Sequence, residues 1–323
     1  MITFETAAVK EFPELANTKQ ITRKQINEIV AKTGARYPTH IANPNNTIRR
    51  GLFKFEFQEN SLIELHIPEI KETDEELDNR IKETYRSMEV LVNSVAKGIS
   101  PSLIISGAPG IGKSHGVTKI LEQNNRQFDT HRGFLKATHL FRMLWENKEK
   151  GQTIVIDDCD GIFEDLTALN LLKAALEIKE DRLIGWGSEK EFEDNTGEVI
   201  PRYFRFNGSV IFLTNINFSA QIKSGGKLAP HLNALDSRAL QFEMNINTPR
   251  EVFARIKQVV SQSDINEKHG IGKDQSKKML SYMETNLDKL KEVSIRSYEK
   301  LAALVKTDPL FWESLANRIM IRN

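Results

Sequence analysis

A single cysteine, Cys159, occurs in 323 residues, so no disulfide can form within the chain, as suits a reducing compartment. No apolar run approaches the ~18 residues that a membrane-spanning helix needs. The N-terminus carries no signal-peptide pattern, so a cytoplasmic location without membrane attachment is expected. Neither sign of charge is in excess. The formal net charge of +1 excludes a uniformly basic coat and confines any nucleic-acid contact to a local patch. Internal repeats, low-complexity tracts and glycine- or serine-rich linkers are also missing. What remains is ordinary globular composition, 39% hydrophobic and 28% charged, in a length that holds roughly two domains.

Against that plain background, residues 107–114 read Gly-Ala-Pro-Gly-Ile-Gly-Lys-Ser, a complete G-x-x-x-x-G-K-[ST] phosphate loop. The apolar run Ser102–Ser106 before it has the character of a buried strand, and Ser114 to Gln123 that of a helix. This is the strand–loop–helix setting that the motif requires. The glycines let successive backbone N–H groups turn inward around a phosphate chain, at the positive end of the following helix. The expected cradle is Gly107, Ala108, Pro109, Gly110, Ile111, Gly112, Lys113, Ser114 and His115. Lys113 would reach the β- and γ-phosphates of ATP, and Ser114 would offer its hydroxyl to Mg²⁺.

Forty-three residues after Ser114, Thr153-Ile154-Val155-Ile156 runs into Asp157-Asp158, a central-strand pattern ending in two acids. Asp157 at the strand tip is expected to hold Mg²⁺, and Asp158 to face the attacking water. The interval leaves room for a helix, a strand and a second helix. A third apolar run, Val210–Leu213, ends in Thr214-Asn215, where a polar side chain can meet the γ-phosphate and orient water. From about Pro249 onward the pattern is all helical.

Taken in order, GAPGIGKS, TIVIDD, VIFLTN, ALDSRALQF and SIRSYEKLAAL resemble the AAA+ ATPase family over roughly residues 70–305. That resemblance implies an α/β fold, an AAA+ phosphate-loop parallel sheet flanked by helices with a C-terminal helical lid. It implies that Asn215 is the first sensor, Arg238 an arginine finger acting in trans, and Arg296 the second sensor. It also implies a homo-oligomeric ring, usually hexameric. The expected catalytic set is therefore Lys113, Asp158, Asn215, Arg238 and Arg296, with Ser114 and Asp157 as metal ligands. Many family members carry Glu where this chain has Asp158, one methylene shorter. A double aspartate is familiar in the related superfamily 3 helicases. The segment Leu171–Leu176 together with Trp186 is similar to AAA+ ATPases of phages and mobile elements. Cys159 reads as a small packing residue.

The first residues form a separate group. Between Lys19 and Lys54 lie four lysines and four arginines against the single acid Glu28. Thr22 is placed to cap a helix carrying Ile26, Ile29 and Val30 and ending at Gly34. Leu52, Phe53, Phe55 and Phe57 suggest a strand. A small basic α+β module of helix-turn-helix or winged type fits, either facing nucleic-acid phosphates or docking on the acidic Glu69–Glu76 stretch. The expected division is 1–66 for this module, 67–248 for the ATPase core and 249–323 for the lid.

Two segments could touch a threaded substrate. His131–Lys136, with Phe134, follows the expected second strand at the place of the family's first pore loop. The long interval Gly185–Asn207 holds a turn signal at Asp194–Gly197, so a hairpin is expected, with Lys190, Arg202 and Arg205 as backbone-contacting candidates. The favoured reading is a ring ATPase working on nucleic acid as helicase, translocase or helicase loader. A protein-remodelling ATPase with a protein partner, and a slowly hydrolysing nucleotide-dependent switch, stand as alternatives.

Overall fold

The computed structural model describes residues 4–18, 20–55, 72–179, 181–189 and 191–322. Phe57, Lys19, Lys190 and the expected boundary near residue 66 lie outside the described residues. The chain divides into two units, residues 1–72 and 73–323.

In the larger unit, five strands form one parallel sheet: β1 (Ser102–Ser106), β2 (Gln127–Arg132), β3 (Gln152–Asp157), β4 (Ser209–Thr214) and β5 (Leu240–Glu243), in the order β5-β1-β4-β3-β2. The middle strands are apolar at nearly every position because helices cover both faces. Alternate side chains go to opposite layers. Leu103, Ile105, Val155, Ile211 and Leu213 face one core, with helices Asp74–Ala96 and Lys113–Gln123 and the C-terminal helices. Ile104, Ile154, Ile156, Val210 and Phe212 face the other, with helices Ala137–Glu146, Leu166–Leu176 and Ala229–Asp236. Each fully buried aliphatic or aromatic side chain contributes about 1.5–3 kcal/mol. The α/β fold expected from the sequence is the fold observed.

Past β5 the chain is helical: Pro249–Gln262, Ile265–His269, Lys273–Thr285, Ile295–Thr307 and Trp312–Met320. Thr248 opens the first of these through a capping box with Glu251, with Pro249 in the first turn, the arrangement that leaves fewest orphan N–H groups. Ser294 caps Ile295–Thr307 by accepting from the Ser297 amide. Trp312 packs edge-on against Tyr282, and the Tyr282 hydroxyl donates to Asn317.

The Gly185–Asn207 interval folds back as two short antiparallel ladders, Leu183–Gly185 with Tyr203–Arg205, and Phe192–Glu193 with Val199–Ile200. Asp194 closes the tip by accepting from the Thr196 and Glu198 amides and the Thr196 hydroxyl. One expectation needs correcting. His131 and Arg132 are not loop residues: β2 runs through both, pairing them with Ile156 and Asp157. Only Gly133–Lys136 form the turn, and Leu135 within it is buried.

The smaller unit packs helices Phe4–Glu11, Leu15–Thr18 and Arg23–Thr33 on a three-stranded antiparallel sheet with Leu52–Lys54 between Gln20–Thr22 and Thr47–Arg49. Thr22 and Gln25 form a capping box, and Gly34 ends the helix in the left-handed conformation. Phe4, Ile21, Ile26, Ile29, Phe53 and Phe55 are among its core residues.

Candidate active site

The site lies at the carboxyl edge of β1, β4 and β3, where a parallel sheet presents its loops. Gly110 and Gly112 take positive φ of 71° and 97°, a backbone open to glycine at little cost, and Lys113 then starts the helix. Two flanking elements hold the loop. The Tyr85 hydroxyl donates to the Ile111 carbonyl at 2.5 Å, beneath an Arg255 guanidinium 3.4 Å from the Tyr85 ring centroid. Burial pushes the Tyr85 hydroxyl up to about 12. On the other side the Ile295 amide donates to the Gly110 carbonyl at 2.9 Å.

Lys113 is buried. Its ammonium donates to the carbonyls of Gly107 (2.6 Å) and Ala108 (2.9 Å) and to Asn215 Oδ1 (2.9 Å). Desolvation lowers it to about 8, opposed by the nearby charges of Asp158, Asp157 and Asp160. Asn215, just past β4, bridges outward: its Nδ2 donates to Asp158 Oδ1 at 2.8 Å. Asp158 leaves β3 with φ +53°, uncommon for a residue other than glycine. That turn swings its carboxylate away from the strand axis and onto Asn215. The Ser114 hydroxyl donates to Asp157 Oδ1 at 2.9 Å. A hydroxyl and a carboxylate side by side are hard oxygen donors, the set Mg²⁺ takes together with phosphate oxygens and water. Five of the expected residues thus fall in two contact groups, Lys113–Asn215–Asp158 and Ser114–Asp157, adjacent along the chain at Lys113-Ser114 and at Asp157-Asp158. His115 points outward from the first helical turn.

Arg296 is exposed on the first turn of Ile295–Thr307, close enough for its charge to bear on Lys113. Arg238 lies elsewhere, at the end of Ala229–Asp236. Its Nη1 donates to the Ala234 carbonyl at 2.6 Å, and its Nε lies 3.4 Å from Glu177 Oε2. It does not meet the phosphate loop of its own chain through any described hydrogen bond.

Three contributors escaped the sequence reading. Arg132 at the tip of β2 donates through Nε to Asp157 Oδ2 at 2.9 Å, its side chain 64% exposed while that of Asp157 is 4% exposed. Asp160 accepts from the Thr214 hydroxyl at 2.6 Å, fixing the β4 edge beneath Asn215. Glu177 holds Arg238. The acid-rich run Asp157–Asp160 could have signalled Asp160. No local pattern marks Arg132 or Glu177. Cys159 is buried, and its thiol is pushed up to about 11, mainly by burial.

The candidate substrate surfaces are mixed. Phe134 is 75% exposed. Arg205 is engaged by Asp181 at 2.5 Å, and Arg202 reaches the Glu189 carbonyl at 3.5 Å. In the small unit Lys32 pairs with Glu11 and Glu28. Arg23, Lys24, Arg36, Arg49, Arg50 and Lys54 are exposed and have no ion pair among the described residues. No helix among them is long and apolar enough to cross a membrane.

The phosphate loop after β1, Asp157 and Asp158 at the end of β3, Asn215 after β4, Arg238 before β5 and the helical region beyond follow one another in the order of the motifs read from the sequence. No family model matches the chain. A protein of Enterobacteria phage T4, described as an uncharacterized 36.7 kDa protein in the nrdC-mobD intergenic region, is 34% identical over 272 residues, covering 83% of this chain and 82% of its own. Among solved structures, the RuvB Holliday junction branch migration motor of Thermotoga maritima aligns with TM-score 0.41 and 12% identity over 76% of this chain and 69% of its own. NtrX from Brucella abortus in complex with ADP aligns with TM-score 0.43 and 15% identity over 70% of this chain, and this covers 50% of NtrX. Likenesses this distant decide nothing further about this chain.

Proposed function

The chain belongs to the family of that phage T4 protein, and we propose that it is a ring-forming ATP hydrolase that couples turnover to work on nucleic acid. The observation that carries the hydrolase reading is the pair of hydrogen-bonded groups Ser114–Asp157 and Lys113–Asn215–Asp158 at the mouth of a phosphate loop. It puts a cation, a metal-type oxygen pair and a carboxylate–amide pair within reach of one triphosphate. On binding, Lys113 exchanges its loop carbonyls for β- and γ-phosphate oxygens and, with the loop amides, stabilises the charge that develops there. Ser114 and Asp157 would hold Mg²⁺, which would neutralise charge on the β- and γ-phosphates. Asp158 accepts the proton of the attacking water, or orients that water, and Asn215 fixes its position. Arg296 faces the same phosphate from the C-terminal helices. Arg238 exchanges Glu177 for the γ-phosphate of a neighbouring subunit, which is why assembly is part of the reading.

Nucleic acid is the favoured substrate because six exposed basic side chains of the small unit have no carboxylate partner among the described residues, as a phosphate-facing surface requires. The exposed Phe134 favours a second reading, a grip on polypeptide. The decisive experiment measures ATPase rate alone and with single-stranded DNA, duplex DNA, RNA or an unfolded protein. Stimulation by any nucleic acid supports the first reading, whereas stimulation by protein alone replaces it with the second. For the ring, Arg238→Ala protomers should be inactive alone and regain partial activity when mixed with Asp158→Asn protomers. A persistent monomer with a slowly hydrolysed ATP analogue, and no rescue on mixing, removes the ring.

A further inference from the structure

Arg238 is not the only cation at its end of the molecule. Lys173, on the last turns of Leu166–Leu176, directs its ammonium to His231 Nδ1 at 3.2 Å. His231 lies on Ala229–Asp236, the helix whose Ala234 carbonyl receives Arg238. Glu177, the cap residue of that helix, is four residues after Lys173, a spacing at which a carboxylate can pair with a lysine. It is nevertheless committed to Arg238. Among the described residues Lys173 has no carboxylate within ion-pair distance, and its closest polar contact is an imidazole nitrogen that can accept only when neutral. Half-burial and the charge of Arg238 together hold its ammonium below the usual lysine range.

Arg238 and Lys173 form a pair of like charges that Glu177 compensates only at Arg238, an arrangement that disfavours the charged lysine in an isolated chain. It is relieved by an anion arriving from outside, and charge frustration of this kind clusters at functional sites. We infer that Lys173 is a second trans-acting cation, presented beside Arg238 to the γ-phosphate of the ATP bound by the neighbouring subunit, with His231 as the residue that positions it. The inference rests on the ring reading of Arg238. Guanidinium and ammonium differ usefully here: Arg238 offers a planar fork to two phosphate oxygens, and Lys173 a compact charge to a third.

The test uses the full chain with Lys173→Met, which keeps the aliphatic stem, and with Lys173→Arg, which keeps the charge. Lys173→Met should bind ATP in its own phosphate loop with parent-like affinity by calorimetry. Its turnover should fall about tenfold or more, below the ~10³–10⁵ that an arginine finger supplies. Lys173→Arg should restore a measurable part of that rate. Mixed with Asp158→Asn protomers, Lys173→Met should regain partial ATPase, because the second protomer lends an intact Lys173 to the first protomer's intact centre. Arg238→Ala is mixed in parallel. Rescue of Arg238→Ala without rescue of Lys173→Met overturns the inference and leaves the ring standing. Rescue of neither removes the ring reading and the inference with it. Parent-like turnover of Lys173→Met alone overturns the role outright.

Discussion

Gly110 is where the phosphate loop and the C-terminal helices meet, so a single methyl there tests the architecture of the site. Its φ of +71° costs an L-residue about 1 kcal/mol. A Cβ would also sit 2.6 Å from Ser294 Cβ, well inside contact distance. Ser294 is fully buried and caps Ile295–Thr307, so the clash falls on a fixed atom and not on a flexible tip. Overpacking of this kind costs about 1–3 kcal/mol. Gly110→Ala should therefore lose about 2–4 kcal/mol and, for a unit of this size, roughly 5–15 °C in Tm. Gly197→Ala is the control: φ is +85° with nothing within 4 Å of the added carbon, so strain alone acts and Tm should drop by about 2–4 °C. Thermal denaturation by circular dichroism reads both, and calorimetry should show ATP affinity weakened only in Gly110→Ala. Equal shifts for the two variants would refute the claim that the helix cap is packed against the loop.

Lys113→Ala removes the cation of the phosphate loop and should abolish measurable ATP binding by calorimetry while the far-ultraviolet spectrum is retained; parent-like affinity would show that the nucleotide binds elsewhere. Asp158→Asn keeps shape and its contact with Asn215 but removes the charge, so ATP binding should persist and turnover stop, and a parent-like rate would assign the water to another group. Arg132→Ala frees Asp157 from an ion pair solvated on its arginine side and worth ~1 kcal/mol, so the Mg²⁺ concentration for half-maximal ATPase should fall about fivefold; a rise would mean that Arg132 binds phosphate instead. Asp194 is held down to about 2, first by its Thr196 hydrogen bonds, so its carboxylate stabilises the tip above about pH 4 and that stability is lost as pH falls toward 2. Protection of the Thr196 and Glu198 amides from exchange, taken relative to the intrinsic rate at each pH, should fall across that window in the parent and stay flat in Asp194→Asn.

The features legible in the sequence are those in which chemistry demands fixed residues at fixed spacing. Gly110, Gly112, Lys113 and Ser114 must be contiguous to wrap a phosphate, and Asp157 must end a buried strand, so both appeared as words in the chain. The helix start at Thr22 was equally legible, since its cap is a local bargain between one side chain and an amide three residues on. The end of β2 was not. Thr130, His131 and Arg132 are strand only because β3 supplies the paired backbone, and that partner is 25 residues away. Arg132 on Asp157 and Arg238 on Glu177 failed to show for the same reason. Their meaning lies in where two distant segments converge, which only the folded sheet decides.

The loop is gripped on two sides, and this bears on how turnover could be felt elsewhere in the chain. The Ile295 amide is bonded to the Gly110 carbonyl, and the Tyr85 hydroxyl to that of Ile111. Neither bond uses an amide N–H of the loop, so the inward-facing donors stay available for phosphate while the outward carbonyls are committed. Ile295 begins the helix that carries Arg296, whose charge already bears on Lys113. In the proposed cycle a shift of the loop on filling with phosphate would pull that helix by its first amide, while the phosphate would draw Arg296 toward the same point. The two act on one rigid element, with its buried Ser294, Tyr298, Leu301 and Val305. Packed interiors transmit such displacements instead of absorbing them. In the proposed cycle, then, gain and loss of the γ-phosphate would be read first by the Ile295–Thr307 helix, and through it by the C-terminal helices packed against it.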